Sequence, residues 1–194
     1  PYLYDRDTGE AQLRFIRSTD GLHGDAHFWK MSAGPLQLIG VDTDYIIRGD
    51  GHSEDDMGLI EWLRGAIDST APFRIMLGHH PYLSNGKHGN AGQYFWNTGV
   101  HWKRLFERYV AGHAQLYISG HDHHLEFYTQ SSSVPAAQNT ALAVVGASSK
   151  CRGRGDAENP DETGVAPAVE RYGYGFAWIE VSKTRLLVRY HDMN

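Results

Sequence analysis

The chain has 194 residues, a formal net charge of −5 and 41% hydrophobic residues. This length and apolar content suffice for a substantial core, and we expect residues 1–194 to form a single domain. The negative charge argues against nucleic acid as the main partner, because domains that bind nucleic acid are usually basic. The sequence contains no apolar run of the roughly 18 residues that a membrane span needs. The one cysteine, Cys151, excludes an internal disulfide bond.

Hydrophobic periodicity predicts alternating strands and helices through the first two thirds of the chain. A short strand is predicted near residues 27–29 and a buried strand over 36–43. After a polar loop, a helix is predicted over 57–69, because its apolar residues recur at the spacing of one buried helix face. The next predicted elements are a strand over Phe73–Leu77, an amphipathic helix around 102–110 and a strand over Leu116–Ser119. This order implies crossover connections and a mainly parallel sheet.

After His124 the pattern changes to short strands, which we expect to pair antiparallel. They are predicted over 125–130, Ala141–Val145, Gly175–Val181 and 186–190, with residues 182–184 as a hairpin loop. Residues 148–171 are polar and are predicted to form a loop.

Two of the predicted parallel strands end in glycine followed by histidine. Residues 78–81 read Gly-His-His-Pro, and residues 120–124 read Gly-His-Asp-His-His. Glycine lets the backbone turn, and side chains two apart on an extended segment point the same way. His121 and His123 should therefore face one pocket, while Asp122 and His124 face away. Imidazoles that converge at one end of a sheet predict a metal site.

This ordered pair of motifs resembles the calcineurin-like metallophosphoesterase superfamily, and most closely the purple acid phosphatases of the tartrate-resistant type. The similarity continues through residues 41–43 (Val-Asp-Thr), 61–63 (Glu-Trp-Leu), 87–89 (Lys-His-Gly) and the Gly175–Val181 strand. The resemblance implies an α/β fold, a sandwich of two mixed β-sheets flanked by helices, of which this chain would form the C-terminal portion. It also implies hydrolysis of phosphate esters through two divalent or trivalent metal ions, Fe, Zn or Mn.

The resemblance assigns roles to four histidines. His79 and His121 would bind one metal ion, and His123 would bind the other. His88 would lie beside the phosphate and protonate the leaving group, because the pKa of a histidine lies near working pH. The implied partner is a small-molecule phosphate ester, either a monoester or a diester. Members of the family are often secreted or periplasmic, so the resemblance suggests export without showing it.

Several neighbouring residues have two readings. His80 and His124 should face away from the metals, beside the ligands or at the surface, and Asp122 either orients an imidazole or caps its own turn. Three loop residues either contact substrate or pack the loop: Tyr82, Asn90 and Tyr94. Arg152 and Arg154 either bind phosphate through paired hydrogen bonds or belong to a solvated loop.

The sequence departs from the family in its first quarter. The family also uses Asp-x-His, Gly-Asp and Gly-Asn-His motifs, which provide the remaining ligands and a bridging carboxylate. Residues 25–27 (Asp-Ala-His) and 49–50 (Gly-Asp) match in letters, but the segment before Asp25 is not an apolar strand and no Gly-Asn-His lies between Gly49 and Leu77. We therefore expect a missing N-terminal half or a partner chain to complete the site, and the outer edge of strand 36–43 to be open without it. The alternative is a non-catalytic metal-binding or regulatory module derived from the same fold.

Overall fold

The strands and helices lie within the part of the chain that the computed structural model describes, which is residues 14–15, 18, 22–24, 27–48, 57–67, 70–94, 98–129, 139–153 and 165–193. In chain order they are β1 (Leu22–Gly24), β2 (Phe28–Ala33), β3 (Leu36–Val41), α1 (Thr43–Arg48), α2 (Met57–Ile67), β4 (Phe73–Leu77), α3 (Val100–Leu105), a π-helical turn (Phe106–Val110), β5 (Leu116–Ser119), β6 (Leu125–Tyr128), β7 (Ala141–Val145), β8 (Val169–Arg171), β9 (Gly175–Val181) and β10 (Leu186–Asp192).

Eight of these strands form one mixed sheet, in the order β1-β2-β3-β4-β5-β7-β6-β8. The four central strands, β3, β4, β5 and β7, run parallel, and the strands on both flanks pair antiparallel. The last two strands, β9 and β10, form a separate antiparallel hairpin. The predicted parallel centre is therefore confirmed, but β7 is parallel to β5 and antiparallel only to β6.

The large sheet is buried on both faces. Because side chains alternate along each strand, neighbouring residues contribute to the cores on opposite faces. On β5, Tyr117 joins the core under the helices, where Leu63 of α2 and Trp102 of α3 are also buried. Its neighbour Leu116 joins a second cluster on the opposite face. That face packs against the hairpin through Ile179, Val181, Leu186, Val188 and Tyr190. The molecule is thus a layer of helices, a large mixed sheet and a small second sheet, which confirms the predicted α/β sandwich.

The predicted open edge at the strand over 36–43 is wrong. Strand β2 extends to Ala33 and pairs antiparallel with the whole of β3, from Phe28 opposite Val41 to Ala33 opposite Leu36. The pairing uses the edge that we expected to be exposed, because the chain turns back tightly between the two strands. The edge of the described sheet is instead the three-residue β1.

Several element boundaries differ from the predictions. Strand β6 ends at Tyr128, β10 extends to Asp192, and strand β8 (Val169–Arg171) lies within the predicted loop over 148–171. Strand β3 ends at Val41 because Asp42 begins helix α1, with its Oδ1 accepting the backbone N–H of Tyr45 at 3.0 Å. The predicted helix over 57–69 is observed as Met57–Ile67, and residues 68–69 lie outside the described part. Among the helices described, none has the length and apolar character needed to cross a membrane.

Candidate metal centre

The two Gly-His turns lie side by side because β4 and β5 are adjacent parallel strands. Their hydrogen-bond ladder continues past the strand ends: Gly78 donates its backbone N–H to the carbonyl of Ile118, and Gly120 donates to the carbonyl of His79, each at 3.0 Å. Carboxyl ends of parallel strands meet at the same edge of a sheet. The convergence of His79 and His121 that the sequence predicts is therefore present.

The first turn is fixed by one buried hydroxyl group, that of Thr43 at the start of α1. Thr43 Oγ1 accepts the backbone N–H groups of His79 and His80 at 3.1 and 3.0 Å. It also lies 2.8 Å from Nδ1 of His80, to which it donates its own proton. Gly78 permits this approach, since a Cβ atom there would lie 2.8 Å from the methyl group of Thr43. The glycine is thus required for close packing.

Three imidazole rings surround that of His121. Its ring centroid lies 4.2 Å from that of His88, 4.4 Å from that of His80 and 4.9 Å from that of His79. The Nδ1 atom of His121 lies 3.1 Å from Nε2 of His79. The ring of Tyr94 closes one side of the cluster, 5.5 Å from His80 and 6.1 Å from His121.

Burial keeps these imidazoles neutral. Burial, together with the smaller effect of the neighbouring imidazoles, lowers the pKa of His121 to about 2 and that of His80 to about 3. Burial also lowers the pKa values of His79 and His123. A neutral imidazole has a lone pair to offer, which is the form in which histidine binds a metal ion.

The backbone of the second turn differs from the predicted extended segment. His121 itself adopts the left-handed conformation, with φ at 62°, whereas neither Gly78 nor Gly120 has a positive φ. The side chains of Asp122 and His124 nevertheless point away from the cluster and are buried. His123 remains partly exposed, and its Nδ1 atom is buried without a hydrogen-bond partner in the described residues.

We had expected His80 to face away from the cluster, but it does not. It is buried, and its ring packs against those of His79 and His121 while Thr43 fixes its Nδ1 atom. The prediction assumed an extended backbone, in which neighbouring side chains alternate. The turn after β4 is instead bent around the Thr43 hydroxyl, so both histidines lie on the same side.

Asp122 connects the loop after β4 to the turn after β5 through hydrogen bonds. The two roles predicted for it, orienting an imidazole ring and capping its own turn, are not observed within the described residues. Its carboxylate is buried and accepts the Ser84 hydroxyl at 2.6 Å and the backbone N–H of His88 at 2.9 Å. Asn90 packs the same loop, because its Oδ1 atom accepts the N–H of Ser84. The backbone position of His88 therefore depends on a carboxylate 34 residues away.

A second buried carboxylate, Glu126, holds the other side of this loop. It accepts the backbone N–H of Asn85 at 3.1 Å and the hydroxyl of Tyr128 at 3.0 Å, and it pairs with Nε2 of His124 at 3.2 Å. His124 is buried and stacks on Tyr172. His124 thus faces away from the cluster, as predicted, and has a structural partner.

Arg152 is brought to the site, although the sequence left its role open. Its backbone N–H donates to the carbonyl of His123 at 2.9 Å, and its Nη1 donates to Nε2 of His88 at 3.2 Å. Because a guanidinium only donates, this nitrogen of His88 must be the unprotonated one. Arg154 lies outside the described residues.

The described residues provide imidazoles but no complete metal site. Within this part of the chain, no group of three or more His, Cys, Asp or Glu side chains is arranged to hold a metal ion. Asp42 and Asp44, whose charges act on His79, are engaged by His27 and Arg48 respectively. The sequence had offered two partial motif matches, at residues 25–27 and 49–50. Of these residues, His27 pairs with Asp42, and residues 25–26 and 49–50 lie outside the described part.

Comparisons with known proteins identify relatives by sequence and by fold. The chain is 31% identical over 182 residues to purple acid phosphatase 3 of Arabidopsis thaliana, and the match covers 84% of this chain and 45% of that protein. Its fold resembles GAP50, the anchor in the inner membrane complex of Plasmodium, with a TM-score of 0.57 and 18% identity over 84% of this chain and 48% of that one. It also resembles purple acid phosphatase PPD1 from yellow lupin (Lupinus luteus) seeds, with a TM-score of 0.56 and 16% identity over 85% of this chain and 30% of that one. No protein-family model matches the chain.

The large mixed sheet and the paired Gly-His turns define a calcineurin-like metallophosphoesterase fold. Within that superfamily the chain belongs to the family of the purple acid phosphatases, which confirms the resemblance read from the sequence. The chain spans about half or less of the length of these relatives.

We predict that Thr43→Val destabilises the protein far more than its change in shape suggests. Valine removes the hydroxyl and leaves two backbone donors and His80 Nδ1 unpaired, at a cost of roughly 2–5 kcal/mol. Thr43→Ser is the matched control, because it keeps the hydroxyl and loses one methyl group, at about 1 kcal/mol. Urea denaturation of both variants measures the difference, and equal losses would contradict the role assigned to the hydroxyl.

We also predict that acid destabilises the metal-free protein through His80. The pKa of His80 is about 3 in the folded protein, compared with its ordinary value of 6.5. Below pH 6.5, His80 therefore binds a proton in the unfolded state but not in the folded state. Stability contributed by His80 is thus complete above pH 6.5 and falls as the pH decreases, by about 2 kcal/mol at pH 5. Urea denaturation at pH 7.5 and pH 5, with a chelator present, should show a smaller loss for His80→Asn than for the natural protein. The same loss in both proteins would refute this source of acid sensitivity.

Proposed function

We propose that the protein is a metal-dependent phosphoesterase of the acid phosphatase type and that this chain contributes the histidine-rich part of a two-metal site. One observation carries the proposal, the 3.1 Å separation of His79 Nε2 and His121 Nδ1. Two imidazole nitrogens bound to one tetrahedral ion at the usual 2.0–2.1 Å lie about 3.3 Å apart. The two rings share a hydrogen bond at this distance, and binding one ion would require their nitrogens to separate by only about 0.2 Å.

The remaining ligand assignments follow the family. His79 and His121 bind one metal ion and His123 binds the other. A buried nitrogen without a partner is unusual, and the Nδ1 atom of His123 supports a role for this ring beyond packing. The carboxylate ligands would come from residues outside the described part or from a partner chain. Iron, zinc and manganese are the candidate metals.

Residues around the metals would bind the substrate and move a proton. Bound metal ions would supply Lewis-acid activation of the phosphate and of the attacking water. Arg152 would bind a phosphate oxygen, which draws its guanidinium from Nε2 of His88. Nε2 of His88, released from the guanidinium, would take up a proton from solvent and give it to the ester oxygen as the bond from phosphorus to that oxygen breaks and the bond from phosphorus to water oxygen forms.

The substrate we propose is a small-molecule phosphate ester. The loop residues weighed for substrate contact are engaged within the protein: Tyr82 donates its hydroxyl to Glu107 at 2.8 Å, Tyr94 donates to the carbonyl of Pro81, and Asn90 bonds Ser84 and Gln93. They pack the loop, so among the candidates within the described residues Arg152 remains as a substrate contact. Export from the cytoplasm rests on the family resemblance alone.

A second candidate function is a non-catalytic metal-binding or regulatory module. Two observations favour it: the described residues hold no complete metal site, and one structural neighbour is described as an anchor in a membrane complex. Metal content separates the two candidates. A content near two metal ions per chain, together with hydrolysis of an aryl phosphate, supports the enzyme. A content of one ion or none, without turnover, supports the module.

We predict that His121→Ala and His123→Ala each abolish most of the hydrolysis of p-nitrophenyl phosphate. Each removes a direct metal ligand, so the loss should be at least about 100-fold, above the 10- to 100-fold typical of residues that only orient ligands. His191→Ala is the matched control, since His191 is exposed on the hairpin and stacks on Phe176. Elemental analysis of the same samples should show lost metal in the first two variants only.

The intact protein is the right material for this test, because the chain spans about half of its relative. Full activity and full metal content in both site variants would refute the ligand assignment. Lost activity with unchanged metal content would refute it as well, because ligand removal must reach the metal.

A further inference from the structure

A second cluster of polar side chains lies at the opposite end of the sheet from the histidines. A groove of about 710 Å³ opens there, lined by Arg64, Gly65, Ile67, Arg74, Arg108, Tyr109 and His113. Arg74 is near the beginning of β4, whereas His79 follows its end. At about 3.3 Å per residue, the two ends are about 16 Å apart. We call this feature the arginine groove.

The guanidinium groups of the arginine groove are held in place by the protein. Those of Arg64 and Arg108 lie over the ring of Tyr109, 5.5 and 5.3 Å from its centroid. Arg74 donates its Nε–H to the carbonyl of His113 at 2.6 Å. These contacts restrict the positions of the guanidinium groups, which reduces the ordering needed to bind a ligand.

The side chains that line the groove are mainly positively charged. The lining contains three arginines and one histidine and no acidic residue, in a chain whose net charge is −5. Within the described residues, Arg64 and Arg108 form no ion pair, and the neighbouring Glu107 is engaged by Tyr82. Like charges held close together repel, and a bound anion would relieve that repulsion.

We propose that the arginine groove binds a compact anion carrying two or more phosphate groups, at a site separate from the metal centre. Planar guanidinium groups form paired hydrogen bonds with phosphate, and the two groups of Arg64 and Arg108 match two phosphates better than one. The volume is that of a small-molecule site, and the negative net charge disfavours a long nucleic acid. Free polyphosphates and lipid headgroups with several phosphates share this chemistry. The proposal does not depend on the hydrolytic activity.

Calorimetric titration of the full-length protein with sodium tripolyphosphate tests the proposal. Arg64→Gln and Arg108→Gln should each weaken binding about tenfold, the effect of losing one charge-assisted contact. Arg104→Gln is the matched control, because it removes the same charge from an exposed residue near Arg108 that does not line the groove. It should change the affinity less than twofold.

The same titration in a protein with His121→Ala and His123→Ala separates the groove from the metal centre, and there the affinity should be retained. Vesicles of phosphatidylcholine with and without a phosphatidylinositol bisphosphate distinguish a lipid headgroup from a free polyphosphate as the ligand. Binding that depends on the arginines, either to the phosphorylated lipid or to free tripolyphosphate, supports the site. No binding of either probe would overturn the proposal. Equal losses in Arg104→Gln, loss in the histidine variant, or tighter binding of a short single-stranded RNA would also overturn it.

Discussion

The histidine site depends on the parallel pairing of β4 and β5, whose hydrogen-bond ladder runs on beyond both strands. The amide of Gly120 donates a hydrogen bond to the carbonyl of His79, so the two turns are extensions of the sheet and share its rigidity. Their imidazoles meet because the strands that carry them are neighbours in the order of the sheet. Thr43 adds a third element, the start of α1, by accepting two amides of the first turn. Rigid support of this kind fixes the relative positions of the imidazoles.

Two buried carboxylates, Asp122 and Glu126, connect this rigid edge to the loop that carries His88. Both are fully buried, and both accept backbone amides of the loop. A buried charge is costly unless hydrogen bonds satisfy it, so the loop and the turn after β5 stabilise each other. The arrangement places His88 beside His121 and Arg152. Neither carboxylate is available as a metal ligand, since their oxygens are already engaged by the protein.

The sequence predicted the elements and the meeting of the histidines because both are carried by local patterns. Periodicity gave β4, β5 and β7 with their observed bounds, and the adjacency of parallel strands placed His79 near His121. The inward ring of His80 and the partners of Asp122 were missed. Each arises from hydrogen bonds between residues 34 to 38 apart, which no local pattern encodes. The left-handed backbone of His121 was missed because histidine rarely adopts it.

The central claim is that His79 and His121 offer specific nitrogens, Nε2 and Nδ1, to one metal ion. Nitrogen-15 NMR of the imidazole groups in the intact protein, without metal and with zinc, measures this directly. The account predicts that zinc shifts Nε2 of His79 and Nδ1 of His121 to values typical of metal-bound nitrogen, in parallel and at one stoichiometry. Coordination through the opposite nitrogen of either ring, or two independent titrations, would contradict it.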